Sequence, residues 1–304
     1  MKHKFFAHFL ILFIASMSIQ AQNLKSLKET EWTERVRPAP ETVFKMFREA
    51  GTHPVNHLLT GTEKEKVDRA FAILPPVYKR ILSKHLQSIS FMDNMPNTAL
   101  TSLIETTDSI KSFNIVFRAE ILNETISKWA TWKESTCYKP SERNEFELDI
   151  EAGELDAIVY LLLHEATHVV DAVLEITPYF EETDTLAKPT AFTMGIWHKM
   201  NVPVKEFNIP LLETTRFRSG KPISISQAPE VYKALQETPF VSLYGMAAWS
   251  EDFAEIATIY HLVEKLKQPF RISVKKNNKE VVSFEPLKNK LVKKRLQRLT
   301  MFYG

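Results

Sequence analysis

Glycine is scarce in this chain of 304 residues, with seven scattered along it. None forms a G-x-G-x-x-G or P-loop pattern, so a backbone cradle for nucleotide phosphates is excluded. Cysteine is scarcer still. The single Cys137 rules out an intramolecular disulfide framework. The segment around it, Ser135 to Pro140, reads as a loop with no partner base nearby, so Cys137 is expected to be a tolerated free thiol. Net charge is missing too, with 39 Lys and Arg against 37 Asp and Glu. Repeats and low-complexity tracts are absent. At 44% hydrophobic and 25% charged the chain has ordinary globular composition, which excludes a disordered or collagen-like protein.

What is present begins with a leader. Lys2, His3 and Lys4 precede an apolar stretch from Phe5 to Ser18, interrupted by His8, and Ser18-Ile19-Gln20-Ala21 supplies small residues at a cleavage point. This predicts a signal peptide over residues 1–21 and a secreted or periplasmic protein. The apolar run falls short of the ~20 residues that span a bilayer, so no stable membrane insertion is expected after its removal. Without Lys2 and Lys4 the basic and acidic residues are equal in number, which gives no electrostatic reason to expect nucleic acid.

Residues 22–39 are polar and end in Pro38-Ala39-Pro40, as a linker would. Helices are expected from Pro40 to Ala50, from a capping box at Thr62-Glu63-Lys64-Glu65 to Leu74, and from Val77 to Leu86. Residues 22–110 therefore read as a mostly helical region. Strands are expected at Ser88–Met92, at Phe113–Ile121, where alternation suggests one buried face, and at Phe146–Ile150. Glu151, Glu154 and Asp156 place negative charge before a helix that runs to about Leu174 and is apolar nearly all round, as a central buried helix should be. Residues 176–228 carry Pro and no clear period. Helices near 229–236, 248–267 and 286–301, and short strands at Arg271–Lys275 and Glu280–Phe284, complete an α+β reading: a small mixed sheet with helices packed on it. Residues 111–304 form one domain in this scheme, with an insertion near 176–228.

The central helix carries His164-Glu165-Ala166-Thr167-His168. Histidines at i and i+4 lie one turn apart on one face, where two imidazoles can share a metal ion. Glu165, beside the first, can act as general base on an attacking water. A catalytic zinc usually takes a third protein ligand. A third histidine on the same helix is excluded, because Asp171 and Leu174 occupy the positions where a metzincin would have Gly and His. The candidates are Glu251, Glu255, His198, His261 and Asp171. Glu251 and Glu255 are one turn apart near the start of the 248–267 helix, so one could bind metal while the other supports a ligand imidazole. His198, beside Trp197, reads as a surface or structural residue, and His261 as packed or exposed. Asp171 suits a supporting role or the helix surface equally. The basic residues Lys288 to Arg298, around a leucine stripe, read as a solvated face over a packed one.

His164-Glu-Ala-Thr-His168-Val-Val-Asp171, followed by Tyr244 and then by Glu251-Asp-Phe-Ala-Glu255, resembles the gluzincin metallopeptidases. The pattern is similar to that of the catalytic domain of anthrax lethal factor and its relatives. The resemblance covers roughly residues 150–175 and 240–265. It implies a zincin-like fold, a peptide or protein substrate and a Zn2+ held by His164, His168 and Glu251. It further implies Glu165 as base, Tyr244 as an assisting hydroxyl and Glu255 as the acid supporting a ligand. The Gly after Tyr244 is expected to permit a tight turn toward the site. Phe113–Ile121 and Phe146–Ile150 are the candidate strands for pairing with an extended substrate. Two rivals remain open: an interaction protein with a structural zinc closed by His198 or Asp171, and a zinc hydrolase acting on a non-peptide amide such as a cell-wall crosslink.

Overall fold

Proline and capping residues set the first helices. Pro40 precedes α1 (Glu41–Glu49), which stops before Gly51 at φ +76°. Thr60, in an extended conformation, caps α2 (Gly61–Ala72): its hydroxyl accepts from the Glu63 amide, and the Glu63 side chain accepts in return from the Thr60 amide at 2.8 Å. The capping box is thus two residues earlier than Thr62–Glu65. Pro75 stands at the N-cap of α3 (Pro76–His85), which Pro76 opens. The computed structural model describes residues 30–104, 110–141, 145–178, 188–218 and 220–303. The expected signal peptide at 1–21 lies outside them.

Four strands then form a mixed sheet in the order β1-β2-β4-β3. They are β1 (Val55–Asn56), β2 (Leu86–Asp93), β3 (Ala99–Ile104) and β4 (Ser112–Arg118). β2 and β4 are parallel, and β3 lies antiparallel on β4 as the sheet's edge. Two expectations are corrected here. β4 ends at Arg118, because Ala119–Asn123 winds into a 3-10 turn, and Phe113 to Phe117 are all buried instead of alternating. With neighbours on both sides, β4 also has no free edge for a substrate strand. Strand β3 and helix α4 (Ile126–Ser135) were not anticipated. Cys137, buried just beyond α4, is pushed well above the usual thiol range by burial, in keeping with an inert thiol.

After β5 (Tyr138–Lys139), β6 (Phe146–Glu151) forms a second, antiparallel sheet with β10 (Arg271–Lys276) and β11 (Lys279–Phe284). Asn277 and Asn278, both at positive φ, make the tight turn between β10 and β11. Between β6 and β10 runs the central helix α5 (Ala157–Leu174). It is long and apolar enough to cross a membrane, yet 78% of it is buried inside the protein, as its all-round apolar pattern requires. Asp156 stands at its N-cap without a side-chain capping bond and instead pairs with Lys66 at 3.0 Å. The stretch 188–228 contains a small hairpin, β7 (Trp197–Lys199) with β8 (Val202–Pro203), and β9 (Ile223–Ser224), which pairs with β5.

Three helices follow: α6 (Ala228–Gln236), α7 (Trp249–Tyr260) and α8 (Lys290–Leu296). α7 packs on α5 and continues as a wider π-turn over His261–Lys265. One core runs from Trp32 to Phe302, with residues from both sides of position 110. Arg295 departs from the expected solvated basic face: it is buried, and its guanidinium grips the buried Asp252 at 2.6 and 2.9 Å. Trp197 also donates to Asp252, at 2.9 Å. These bonds fix the first turn of α7.

Candidate metal centre

α5 and α7 bring three side chains to a point. His164 Nε2 lies 3.1 Å from Glu251 Oε2 and 3.2 Å from His168 Nε2, and His168 Nε2 lies 3.5 Å from Glu251 Oε2. At this distance one Nε2–H can donate to the other ring, or both lone pairs can share a cation. A four-coordinate zinc with bonds of ~2.0–2.2 Å would hold its ligand atoms about 3.3–3.5 Å apart, close to this triangle. The donors, two imidazoles and a carboxylate, also match a catalytic zinc set. Among the described residues, His164, His168 and Glu251 form a potential metal-binding triad.

The charges favour a cation between them. Burial would lower the His164 imidazole, but the Glu251 and Glu255 carboxylates outweigh it and lift the group to about 10. Burial would likewise lower His168, and Glu251 raises it. Burial would raise Glu251, while His168 and His164 hold it well below the usual carboxylate range. Two carboxylates around two rings thus demand positive charge, which protons or a metal ion can supply. Glu251 sits in the first turn of α7, where the helix dipole also favours an anion.

Glu255, one turn further along α7, supports the other side of His164. Its Oε1 lies 3.1 Å from His164 Nδ1, accepts from Tyr160 at 2.8 Å and pairs with Lys133 at 3.4 Å. Its Oε2 accepts from Ser242 at 2.6 Å. Burial would raise this carboxyl, but Lys133, His164 and Ser242 bring it to about 2. Ser242 also accepts from the Gly245 amide at 3.0 Å, which ties the Tyr244 segment to Glu255.

Glu165 lies on the adjoining face of α5, almost fully buried, and Thr101 of the edge strand β3 donates to its Oε2 at 2.6 Å. Tyr244 stacks on His164 with ring centroids 5.7 Å apart. Burial, together with the Glu251, Glu165 and Glu255 carboxylates, pushes its phenol well above the usual range, so it remains a proton donor at neutral pH. Gly245 has no positive φ, and a Cβ there would meet its neighbours at ordinary contact distances of 3.4 Å and more. The segment is a 3-10 turn over Tyr244–Met246, so the expected need for glycine's backbone freedom is corrected.

The remaining sequence candidates stand elsewhere. Both oxygens of Asp171 are taken by Thr177, from its amide at 2.7 Å and its hydroxyl at 2.6 Å. Asp171 therefore closes the turn after α5; it is buried, which corrects the helix-surface alternative, and its carboxylate bonds to Thr177. His198 is exposed on the β7–β8 hairpin. His261 is buried and bonded to the Tyr303 hydroxyl at 2.8 Å. Sequence reasoning missed Thr101, Lys133, Tyr160 and Ser242. Only Tyr160 left a trace, a polar tip one turn before His164 on the same face of an apolar helix. A cavity of about 400 Å³ elsewhere, against Arg35, Ser83 and His85, shares no residue with the cluster, and Arg35 is spent there on the carbonyls of Ser83 and Leu86. Compared with protein-family models, curated proteins and solved structures, the chain matches none.

Proposed function

We propose that the protein is a zinc-dependent metallopeptidase with a zincin-like fold, similar to the gluzincins. The observation that carries this reading is the convergence of His164, His168 and Glu251 beside a carboxylate, Glu165, that is held in place without joining the triangle. His164, His168 and Glu251 would hold the zinc, which when bound polarises a carbonyl and makes water a better nucleophile. Glu165 takes the proton of the attacking water and returns it to the leaving amine. Thr101 fixes one carboxylate oxygen, so the other is free to face the substrate. Tyr244, a neutral phenol beside His164, donates to the oxyanion of the tetrahedral intermediate. Glu255 holds the His164 ring by its other nitrogen, as supporting carboxylates do in zinc sites. The edge position of β3, next to Glu165, suits pairing with an extended peptide. The exposed His198 and the engaged Asp171 leave the closed structural-zinc alternative without its fourth ligand.

The test is metal analysis joined to unbiased cleavage profiling of the purified protein. One zinc per chain and peptide cleavage are expected. His168→Ala should lose the metal, whereas Glu165→Ala should keep it and lose turnover. Equal zinc in wild type and His168→Ala would overturn the site, and a fully loaded protein that hydrolyses only non-peptide amides would overturn the substrate class.

A further inference from the structure

A cavity of about 380 Å³ opens directly beside His164, Glu165 and Tyr244, within the size range of small-molecule pockets. Trp129 and Leu161, both buried, form its apolar depth. Phe217 stands edge-on to Tyr244 at 5.3 Å on one wall. Trp132 forms another, with its indole 48% exposed, and Arg118 braces that ring from 4.7 Å. Trp132 thus continues the apolar lining of the cavity out to its exposed rim, in line with Trp129 and Leu161 at its depth.

The polar lining is cationic. Lys133 Nζ lies 3.8 Å from the Tyr244 ring centroid and 5.1 Å from that of Trp129. Arg216 is exposed; it donates to the Thr136 carbonyl at 3.2 Å and has no ion-pair partner among the described residues. Among the described residues, the only carboxylate lining the cavity is Glu165. An arriving ammonium or guanidinium group would therefore meet the unpaired Arg216 and the Lys133 ammonium already paired with Glu255, against the single carboxylate of Glu165, whereas an aromatic ring would meet four others.

Building on the metallopeptidase reading, we infer that this pocket selects the substrate residue beside the scissile bond, taking an aromatic side chain and rejecting Lys and Arg. Trp132 and Phe217 supply the attraction and Arg216 the exclusion. Specificity thus comes from a repulsive element as well as an attractive one.

The test measures binding of acyl-peptide hydroxamates, carrying Phe or Lys next to the hydroxamate, by calorimetry, with the zinc content of each preparation determined in parallel. The Phe probe should bind wild type roughly 100-fold more tightly than the Lys probe. Trp132→Ala should weaken the Phe probe by about tenfold or more. Arg216→Glu should strengthen the Lys probe by roughly five- to tenfold and leave the Phe probe unchanged. Zinc-loaded protein that binds both probes equally overturns the pocket assignment and leaves the metallopeptidase reading intact. A preparation that takes up no zinc and binds neither probe overturns both.

Discussion

Replacing Glu255 with Ala tests the proposal that it supports His164 without binding metal itself. The carboxylate faces His164 Nδ1 at 3.1 Å, so its loss frees the imidazole to turn while leaving Nε2 available for metal. Outer partners of this kind change metal affinity by ~10–100-fold, which corresponds to about 1.4–2.7 kcal/mol. Stability suffers separately. Tyr160 and Ser242 lose their acceptor, and the Lys133 ammonium loses the carboxylate 3.4 Å away in a largely enclosed position. A buried charge left without its partner costs about 3–5 kcal/mol, and the lower end applies because the Lys133 side chain keeps 16% exposure. In a protein of this size each kcal/mol lowers Tm by roughly 2–4 °C, so the loss should be near 6–12 °C. A second change, Lys133→Met, removes the stranded charge and should recover much of the melting temperature without restoring zinc affinity. Chelator competition and thermal melts measure the two effects independently. Unchanged zinc affinity in Glu255→Ala would refute the supporting role. A loss as complete as that of Glu251→Ala would make Glu255 a ligand and move the assignment by one helical turn.

Tyr244→Phe keeps the ring on His164 and removes one oxygen; turnover should fall by roughly 10²–10³-fold with zinc content and Tm near wild type. A variant that melts early yet keeps its rate per folded molecule would make Tyr244 a packing residue. His261 supplies a pH test: burial holds its imidazole down at about 4, against an ordinary value of 6.5. As pH falls from 6.5 to 4 the unfolded chain takes up a proton that the folded one refuses, so stability drops by up to about 3 kcal/mol. His261→Phe retains the stacking on Tyr303 and should lack this slope, so denaturation at a series of pH values would show the wild-type and variant curves converging or crossing toward pH 4. A constant difference between them would contradict the argument.

The parts of the site that were legible in the sequence are those carried by helical spacing. His164 and His168 must share a face, and so must Glu251 and Glu255, because one turn separates each pair. The same logic located α5 from its apolar pattern and α7 from its span. Thr101, Lys133 and Ser242 were invisible because β3, α4 and the turn before Tyr244 meet the site only through tertiary contact. β3 itself gave a weak signal: Ala99–Ile104 is half-buried apart from the exposed Leu103, with no alternation. β4 misled for the opposite reason, since a strand covered on both faces has no need of period two. Asp171 shows the limit of spacing arguments. It lies three positions after His168, yet the turn after α5 supplies Thr177 as a nearer partner for both its oxygens.

The division of labour between α5 and α7 explains why a buried ion pair lies behind the centre. α5 is held on all sides by apolar contact, which fixes His164, Glu165 and His168 at little polar cost. α7 must instead present two acids, Glu251 and Glu255, from its first two turns toward the same point, where they would repel each other without compensation. Asp252 turns the other way, into Arg295 and Trp197, which sets the rotation of the helix about its axis. A rotation of one residue, about 100°, would swing Asp252 toward the histidines and Glu251 away from them. The Arg295 bond to the Pro239 carbonyl at 2.7 Å ties the same anchor to the chain leading into Ser242 and Tyr244. Asp252 and Arg295 thus stand apart from the His164–His168–Glu251 triad, yet they determine which carboxylate reaches it.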